Sequence, residues 1–466
     1  MADTLKLLHE KNFIERLDSV KKLINIWSSR GLSIYGKVTI ITSLIIPKLV
    51  YISSLLPTPK EIIQELNRLL FKFLWKGTDK VTRLSAINEY ENGGLKMIDL
   101  ESRLAWIKRI FGTNDGTWKS YLRHLLNRFG GLFLFHCNYD VKDIPITSQF
   151  YSELLKWWSD FREEFDTERD QHNIVWNNKE IRINNKPVFY KNFFESGIIY
   201  VNDLLFHLNH TDSFNIISKK ISRINVLIRA GLRHSVPSHL KTTNRTFSTT
   251  PLSFRIDNKD FDALKKKSKD YYLLIKSRKA QFPNNSRFLK HDFNLTDDQL
   301  KKVFVLPHNL ALEPYVRAFQ YKILNSIFYT NSKLYQISYT ADDKCSFCES
   351  EPETVPHFFF HCVYSQLFWK QFESYYYSLT KEFFHLTLHD VLIGIITSEC
   401  PLLNYLLLIA KVYLWDCRRS ETLPNITGFK LKVKNKYETE KYICIKNNTI
   451  EKFTRKWAIT SGSVLL

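Results

Sequence analysis

The sequence predicts a mainly α protein built from several helical units, with a small β element and a compact zinc knuckle. Three observations favour this class. Apolar residues recur at helical spacing over much of the 466-residue chain, only 14 glycines are present, and three cysteines lie within the segment 345–362. Apolar residues three and four positions apart form one buried face of a helix, so we expect helices to dominate.

The segment 1–115 is predicted to form one helical domain. Its first apolar stripe, which Gly31 is expected to end, consists of Phe13, Leu17, Val20, Ile24 and Trp27. A later helix is predicted to open at Thr58-Pro59-Lys60-Glu61 and to stop at Gly77, because a capping residue followed by Pro and Glu is typical of a helix start.

Three further segments are predicted to follow this domain. Residues 116–235 form a mixed connecting region, in which 174–176 and 181–183 are expected to pair as a hairpin across Asn177-Asn178. Residues 236–252 are rich in Ser and Thr and are predicted to be a linker. Residues 253–466 form a helical C-terminal domain that contains the zinc knuckle at 345–362.

The charge balance indicates a polyanionic partner. The chain has 67 Lys and Arg against 47 Asp and Glu, a formal net charge of +20. We expect RNA and/or DNA as the partner ahead of an acidic membrane surface. The candidate nucleic-acid contacts lie in the densest basic stretch, which interleaves tyrosines for base stacking: Lys265, Lys266, Lys267, Lys269, Tyr271, Tyr272, Lys276, Arg278 and Lys279. A solvated helix face accounts for the same stretch equally well.

One apolar segment, 38–56, has the length of a membrane span but carries Pro47 and Lys48 at its centre. A lysine in the middle of a span costs about 3 kcal/mol, so we predict two buried helices broken at Pro47. The N-terminus lacks the basic and apolar regions of a signal peptide. We therefore expect an intracellular protein, cytoplasmic and/or nuclear, without a transmembrane segment.

Two motifs imitate catalytic sites. Residues 31–37 spell most of a phosphate-binding loop, but Val38 occupies the position of its magnesium-binding Ser or Thr and a helix precedes it. The run Tyr339-Thr-Ala-Asp342-Asp343 imitates the aromatic-x-Asp-Asp turn of polymerases, but Lys344 and Cys345 come next and leave no room for a second strand. We interpret the first motif as a turn between helices and the second as a solvated turn.

The strongest chemical signal is the zinc motif Cys345-x2-Cys348-x8-His357-x4-Cys362. Two Cys three positions apart present both thiolates to one Zn²⁺, and a His and a third Cys complete a tetrahedron. Four protein ligands leave no open position, so the predicted site is structural. His361 is the alternative nitrogen ligand, and reduced, buried cysteines without metal are the alternative to zinc.

At these residues the chain resembles LINE-type, non-LTR retrotransposon reverse transcriptases. Cys345-Ser-Phe-Cys348, the run from Glu353 to Cys362, and Phe368-Trp369 resemble that family's zinc-binding C-terminal domain. The segments 23–37 and 93–97 resemble its thumb, and 197–205 resembles its connecting region.

The resemblance implies a nucleic-acid-binding and zinc-binding C-terminal fragment that contacts template–primer or element RNA. The family's polymerase palm and endonuclease are expected to lie outside this sequence, so no enzymatic activity is expected of the chain itself. Ligand roles transfer only to the four residues of the zinc motif. The alternative is a non-catalytic helical scaffold or interaction remnant with no specific nucleic-acid role.

Overall fold

The fold is described from a computed structural model of the chain. The residues that the structure describes are 10–53, 58–99, 117–127, 131, 141–165, 174–210, 222–241, 253–256, 259–262, 268–279, 282–396 and 400–457. Within these ranges the protein is mostly helical, as the sequence predicts, and its strands form two short antiparallel hairpins.

The helices before residue 280 are Glu15–Ser28 (α1), Ile34–Ile40 (α2), Pro47–Ser53 (α3), Lys60–Trp75 (α4), Arg83–Ile87 (α5), Thr117–Leu126 (α6), Gln149–Phe165 (α7), Lys191–Glu195 (α8), Val201–Asn209 (α9), Ser222–Ser235 (α10) and Ser268–Lys279 (α11). The strands are Arg182–Ile183 (β1), Lys186–Pro187 (β2), Ser253–Ile256 (β3) and Lys259–Asp262 (β4).

The later helices are Asn285–Asp292 (α12), Asp297–Leu310 (α13), Pro314–Leu324 (α14), Asn331–Gln336 (α15), Val363–Thr380 (α16), Leu388–Ile393 (α17), Pro401–Arg419 (α18), Ile426–Lys446 (α19) and Ile450–Trp457 (α20). Single π-helical turns occupy Glu10–Ile14, Ile41–Ile45 and His357–His361, and short 3₁₀ turns occupy Tyr90–Asn92, Val141–Asp143 and Ser238–Lys241.

The chain divides into two compact units with limits that differ from the predicted domains. The first unit combines residues 1–52 and 59–100 with 276–466, and the second contains 53–58 and 101–275. The helices after residue 276 thus share a unit with the N-terminal helices. Tyr35 of α2 joins them: its hydroxyl lies 3.2 Å from His308 Nε2, and its ring packs edge-on against Tyr321.

The first predicted stripe is confirmed for Phe13, Leu17, Val20 and Ile24, which are buried, whereas Trp27 is half-buried. α1 ends at Ser28, before Gly31, and the next helix starts at an N-cap made by Ser33. The second predicted helix begins at Lys60, with Pro59 as N-cap and no side-chain capping bond. It ends at Trp75, where Lys76 in the left-handed region precedes Gly77.

Lys37, the lysine of the phosphate-loop look-alike, has a structural role. Its side chain is buried, and Nζ donates to the backbone oxygens of Phe73 and Leu74 at 2.9 Å each. These carbonyls lie at the C-terminus of α4, where a cation is favoured by the helix dipole. Burial lowers the pKa of Lys37 to about 8. The side chain therefore stabilises a helix end instead of facing a phosphate.

Pro47 divides the apolar segment into two helical parts, as predicted. The core-facing residues of both parts are buried: Ile34, Tyr35, Val38, Ile41, Ile45, Ile46, Leu49 and Ile52. Over the described residues, no single helix is long and apolar enough to cross a membrane. The helical stretches Ile34–Ile45 and Pro47–Ser53, bent by 41°, satisfy that test only as a pair, by length and composition.

The second unit contains a hairpin at a different place from the predicted one. β1 pairs with β2 through Arg182 opposite Pro187 and Ile183 opposite Lys186. The turn is Asn184-Asn185, both with positive φ (52° and 61°), as two-residue hairpin turns require. Residue 174 bridges to Tyr200 instead, so the predicted pairing across Asn177-Asn178 is wrong.

The start of the predicted linker belongs to the second unit's core. Val236 and Leu240 are buried with residues such as Trp176 and Phe193. Residues 242–252 lie outside the described ranges. The β3–β4 hairpin, Ser253–Ile256 with Lys259–Asp262, follows directly and was not predicted.

The largest core of the first unit is built from α13, α14, α16, α18, α19 and α20. Lys411 of α18 lies inside it, 1% exposed, and its Nζ donates to Gln320 Oε1 at 2.7 Å. Burial lowers the pKa of Lys411 to about 7. An amide oxygen does not neutralise an ammonium, so the charged form is costly here.

Replacing Lys411 should change how stability depends on pH. Its pKa is about 7 in the folded chain, so the unfolded chain, near 10.4, binds more protons between these values. The contribution of Lys411 to the free energy of unfolding therefore rises with pH in that window. Relative to Lys411→Met, the wild type should gain about 3 kcal/mol between pH 7 and pH 9.5, measured by urea denaturation. Parallel curves for both proteins would contradict this, and the exposed Lys446→Met serves as control.

Candidate metal centre

A tight reversal of the backbone places the first two cysteines of the motif. Lys344 and Pro352 form an antiparallel bridge, and Cys345 N–H donates to Glu351 O at 2.8 Å. Between these arms Glu349 takes a positive φ of 54° while its N–H donates to Cys345 O at 2.9 Å. The reversal brings the thiols of Cys345 and Cys348 to the same side.

A π-helical turn brings His357 and Cys362, which are five positions apart, to the same side of the helix. The turn His357–His361 is closed by Cys362 N–H, which donates to His357 O at 2.8 Å. An i→i+5 bond of this kind brings residues five positions apart to one side of the helix, which an α-helix does not. Cys362 then caps the N-terminus of α16 in an extended conformation.

Neighbouring side chains hold the π turn in place. Ser365 Oγ donates to Phe358 O at 2.6 Å, and Trp369 Nε1 donates to Phe359 O at 2.7 Å. These carbonyls are thereby satisfied although the turn departs from the α-helical ladder. Phe358 and Phe359 are fully buried, so the turn is also anchored by the core.

The four ligand atoms converge at distances that suit zinc. All lie within 4.8 Å of one another; Cys345 Sγ is 3.9 Å from Cys362 Sγ, and Cys348 Sγ is 3.4 Å from His357 Nε2. In a tetrahedron with usual Zn–S and Zn–N bonds, sulfur–sulfur edges are about 3.8 Å and sulfur–nitrogen edges about 3.6 Å. A disulfide, with sulfurs about 2.05 Å apart, does not fit these separations.

The electrostatic environment favours thiolates at two of the three cysteines. Burial opposes ionisation of Cys348, but hydrogen bonds from the backbone N–H of Glu351 and from the hydroxyl and backbone N–H of Ser350 outweigh it and lower the pKa of Cys348 to about 6. The hydrogen bond from Cys345 lowers the pKa of Cys362, and backbone bonds at the start of α16 act in the same direction. That same bond raises the pKa of Cys345, so Cys345 is the thiol that a metal ion has to deprotonate.

Glu353 fixes the knuckle from inside. Its side chain is 0% exposed, and its carboxylate accepts bonds from Ser346 N–H at 2.8 Å, Ser346 Oγ at 2.6 Å and Asn331 N–H at 3.0 Å. Arg418 of α18 completes the set with Nε at 3.0 Å and an Nη2 contact at 2.8 Å. Ser346 follows the ligand Cys345, so this ion pair ties the metal-binding loop to α18.

Sequence reasoning did not identify the Glu353–Arg418 pair. The two residues are 65 positions apart and neither lies in a local pattern that signals an ion pair. Only the position of Glu353 within the motif, between Cys348 and His357, hints that it has a role.

The structure distinguishes between the two candidate histidines. His357 lies in the cluster, whereas His361 is exposed at the end of the π turn and is absent from it. Of the two aspartates of the polymerase look-alike, Asp342 is exposed, as expected of a solvated turn, and its Oδ1 accepts the N–H of Lys344, whereas Asp343 is half-buried. Asp343 contributes its backbone oxygen, which accepts Glu353 N–H at 2.7 Å.

The predicted nucleic-acid contacts of the stretch 265–279 are only partly exposed. Lys269 is exposed and Tyr272 half-buried, and their contact with nucleic acid stays a prediction. Tyr271 is 0% exposed and Lys276 is buried with Nζ 2.5 Å from Glu89 Oε1, so for these two residues the prediction is corrected. Lys265, Lys266, Lys267 and the side chains of Arg278 and Lys279 lie outside the described part of the chain.

Comparison with known families agrees with this geometry. Residues 288–369 match the model of a family described as zinc-binding in reverse transcriptase, and the match contains all four ligand residues. This part of the chain resembles the zinc-binding region of reverse transcriptases. No curated protein matches the chain.

The match and the ligand geometry together point to a zinc ion held by Cys345, Cys348, His357 and Cys362. Four protein ligands leave no open coordination position, which is typical of structural zinc. The ion would cross-link the reversed loop, the π turn and the start of α16. Its chemical contribution is to fix the local fold.

Proposed function

We propose that this chain is a nucleic-acid-binding, zinc-containing part of a LINE-type, non-LTR retrotransposon reverse transcriptase, and that it acts by binding without catalysing a reaction. The observation that carries the proposal is the coincidence of the reverse-transcriptase zinc-binding match at 288–369 with a converging Cys₃His cluster. The LINE-type assignment is supported by the resemblance of several further segments to that family.

The charge of the chain supports nucleic acid as the ligand. A net charge of +20 favours association with phosphates, because each neutralised phosphate releases condensed counterions. The exposed Lys269 and the half-buried Tyr272 offer one set of contacts of the predicted kind.

A binding role without catalysis agrees with the placement of the acidic residues. Phosphoryl-transfer polymerases need clustered carboxylates for two metal ions. Among the described residues, the Cys345–Cys362 cluster is the only group of three or more His, Cys, Asp or Glu side chains positioned to hold a metal ion. Asp342 and Asp343 lie in a turn whose hydrogen bonds are local.

The proposal predicts RNA and DNA binding that weakens steeply with salt. The zinc-loaded chain should bind a labelled single-stranded oligonucleotide in fluorescence anisotropy, and affinity should fall by orders of magnitude between about 50 and 200 mM salt. Incubation with dNTPs, Mg²⁺ and a primed template should give no extension. Absence of binding at low salt would contradict the nucleic-acid role and favour the scaffold alternative. Primer extension that is abolished by Asp342→Asn or Asp343→Asn would show a polymerase site.

A further inference from the structure

The longest helix of the first unit, α19, carries five of its six lysines on the two flanks of its buried face. Its buried face, formed by Phe429, Val433, Tyr437, Glu440 and Cys444, packs into the core. Lys432 and Lys436 lie four residues apart on one flank of that face, and Lys430, Lys434 and Lys441 lie on the other flank.

The first flank is neutralised by carboxylates of the same unit. Lys432 pairs with Asp416, and Lys436 Nζ lies 2.8 Å from Glu313 Oε1. The buried Lys456 of α20 is likewise matched: its Nζ lies 2.6 Å from Glu440 Oε1. The half-buried and buried lysines of α19 and α20 therefore each have an acidic partner.

The second flank has no such partners. Lys430, Lys434 and Lys441 are exposed, and within the described ranges none of them forms an ion pair. Glu438 is an exposed residue of the same helix, between Lys434 and Lys441 in sequence. Within the described residues it forms an ion pair with neither lysine. Lys430, Lys434 and Lys441 thus form a row whose positive charge is available to solvent ions or to a ligand.

Aromatic rings hold two of these lysines against the surface. Lys430 Nζ lies 4.9 Å from the centre of the Tyr375 ring, and Lys441 Nζ lies 5.7 Å from that of Tyr437. When the alkyl stem of a lysine packs on an aromatic ring, the ammonium group stays in water, but the side chain has fewer rotamers even before a ligand binds. Binding an anion then costs less side-chain entropy.

The row also has the dimensions of a phosphate track. From Lys430 to Lys441 the helix advances by eleven residue steps, about three turns or about 16 Å along α19. One strand of a duplex carries a phosphate about every 3.4 Å along its axis, so a row of this length matches several successive phosphates.

Resting on the proposed nucleic-acid binding, we propose that the row Lys430, Lys434 and Lys441 on α19 contacts the phosphate backbone of a bound RNA or DNA strand. These contacts neutralise phosphates and read no base, so they contribute affinity and salt dependence without sequence preference. The surface lies outside the basic stretch at 265–279 that the sequence singles out.

The test compares two triple variants with equal loss of charge. The row variant combines Lys430→Gln, Lys434→Gln and Lys441→Gln. The control variant removes three exposed charges elsewhere on α19 and α20, through Lys446→Gln, Lys452→Gln and Arg455→Gln. Anisotropy titrations with one RNA strand and one DNA duplex are run across about 50 to 200 mM salt. The row variant should lose at least about tenfold in affinity, and its salt slope should fall by about one per lysine, while the control stays near wild type.

Further measurements separate the possible failures. Glu438→Gln removes the negative charge next to the row and should tighten binding without disturbing the core. Equal losses in both triple variants would overturn the row while leaving the proposed nucleic-acid function intact, and a wild-type chain that binds neither probe would remove both. A row variant that loses binding only to anionic phosphatidylserine vesicles would assign the row to a membrane surface and overturn the inference. Unchanged zinc content and circular dichroism check that each variant folds.

Discussion

Cys348→Ser should abolish zinc binding and destabilise the first unit more than any other change considered for this protein. The wild type should contain about one zinc per chain by elemental analysis, and the variant close to none. Structural zinc sites contribute about 10–16 kcal/mol of apparent binding free energy at neutral pH. Cys345 and Cys362 line the same core as Phe358 and Phe359, so loss of the ion loosens core contacts as well as the loop.

The chain provides a matched control for this substitution. Cys400 is, like Cys348, half-buried at the edge of the same core, but it lies outside the ligand cluster. Cys400→Ser should therefore keep one zinc and a thermal transition near that of the wild type. The assignment fails if Cys348→Ser retains its metal. The same measurement distinguishes the histidines: His357→Ala should lose zinc, whereas the exposed His361→Ala should keep it.

Zinc removal should also destabilise the N-terminal helices. The sequence assigns the N-terminal helices and the knuckle to two different domains, 1–115 and 253–466, which predicts that they fold independently. The structure places α2 and α14 in one unit, joined at Tyr35 and Tyr321. After chelation we expect amides of Ile34–Ile40 to lose hydrogen-exchange protection together with those of Pro314–Leu324. Full protection of α2 in the zinc-free chain would show that the two parts are energetically independent.

The zinc ligands were predictable because their chemistry depends on local spacing. Cys345 and Cys348 are close in sequence, and a reversed loop is enough to bring their thiols together. The five-residue step from His357 to Cys362 signalled a departure from α-helical geometry, which the π turn provides. What surrounds the ligands was not predictable, because Glu353 meets Arg418 through the packing of α18 and not through any local pattern.

The helices were predictable to a similar degree, and for the same reason. Phe13, Leu17, Val20 and Ile24 form a stripe that is buried whatever packs against it. The grouping of helices into units depends on contacts such as Tyr35 with His308, 273 residues apart, and periodicity carries no information about them. The hairpin was misplaced because an Asn-Asn pair occurs twice in this region. Asn184-Asn185 connects the paired strands, whereas the turn at Asn177, which also takes a positive φ, does not.

Removing the Glu353 carboxylate should have the second-largest effect. In Glu353→Ala the guanidinium of Arg418 loses its counter-charge and keeps only the neutral acceptors Asn331 Oδ1 and Ser346 Oγ. The N–H groups of Asn331 and Ser346 lose their carboxylate acceptor. Breaking a buried ion pair from one side costs about 3–5 kcal/mol, because a buried charge is left without a partner. The loop that carries Cys345 loses its support as well, and groups that orient metal ligands typically account for about 10–100-fold in affinity. Both effects are measurable, as a lower free energy of unfolding in urea and as faster loss of zinc to a chelator.

A double-mutant cycle separates the ion pair from the general loss of packing. Arg418→Met removes the charge but keeps an apolar stem where the side chain now lies 4.4 Å from the Trp415 ring. If the pair is what holds the knuckle, Glu353→Ala combined with Arg418→Met costs less than the sum of the two single changes, because neither variant group is left charged and buried. Glu351→Gln, at an exposed carboxylate two residues away, should leave stability and zinc affinity unchanged. Strictly additive losses would mean that Glu353 acts through its bonds to Ser346 and Asn331, independently of its ion pair with Arg418.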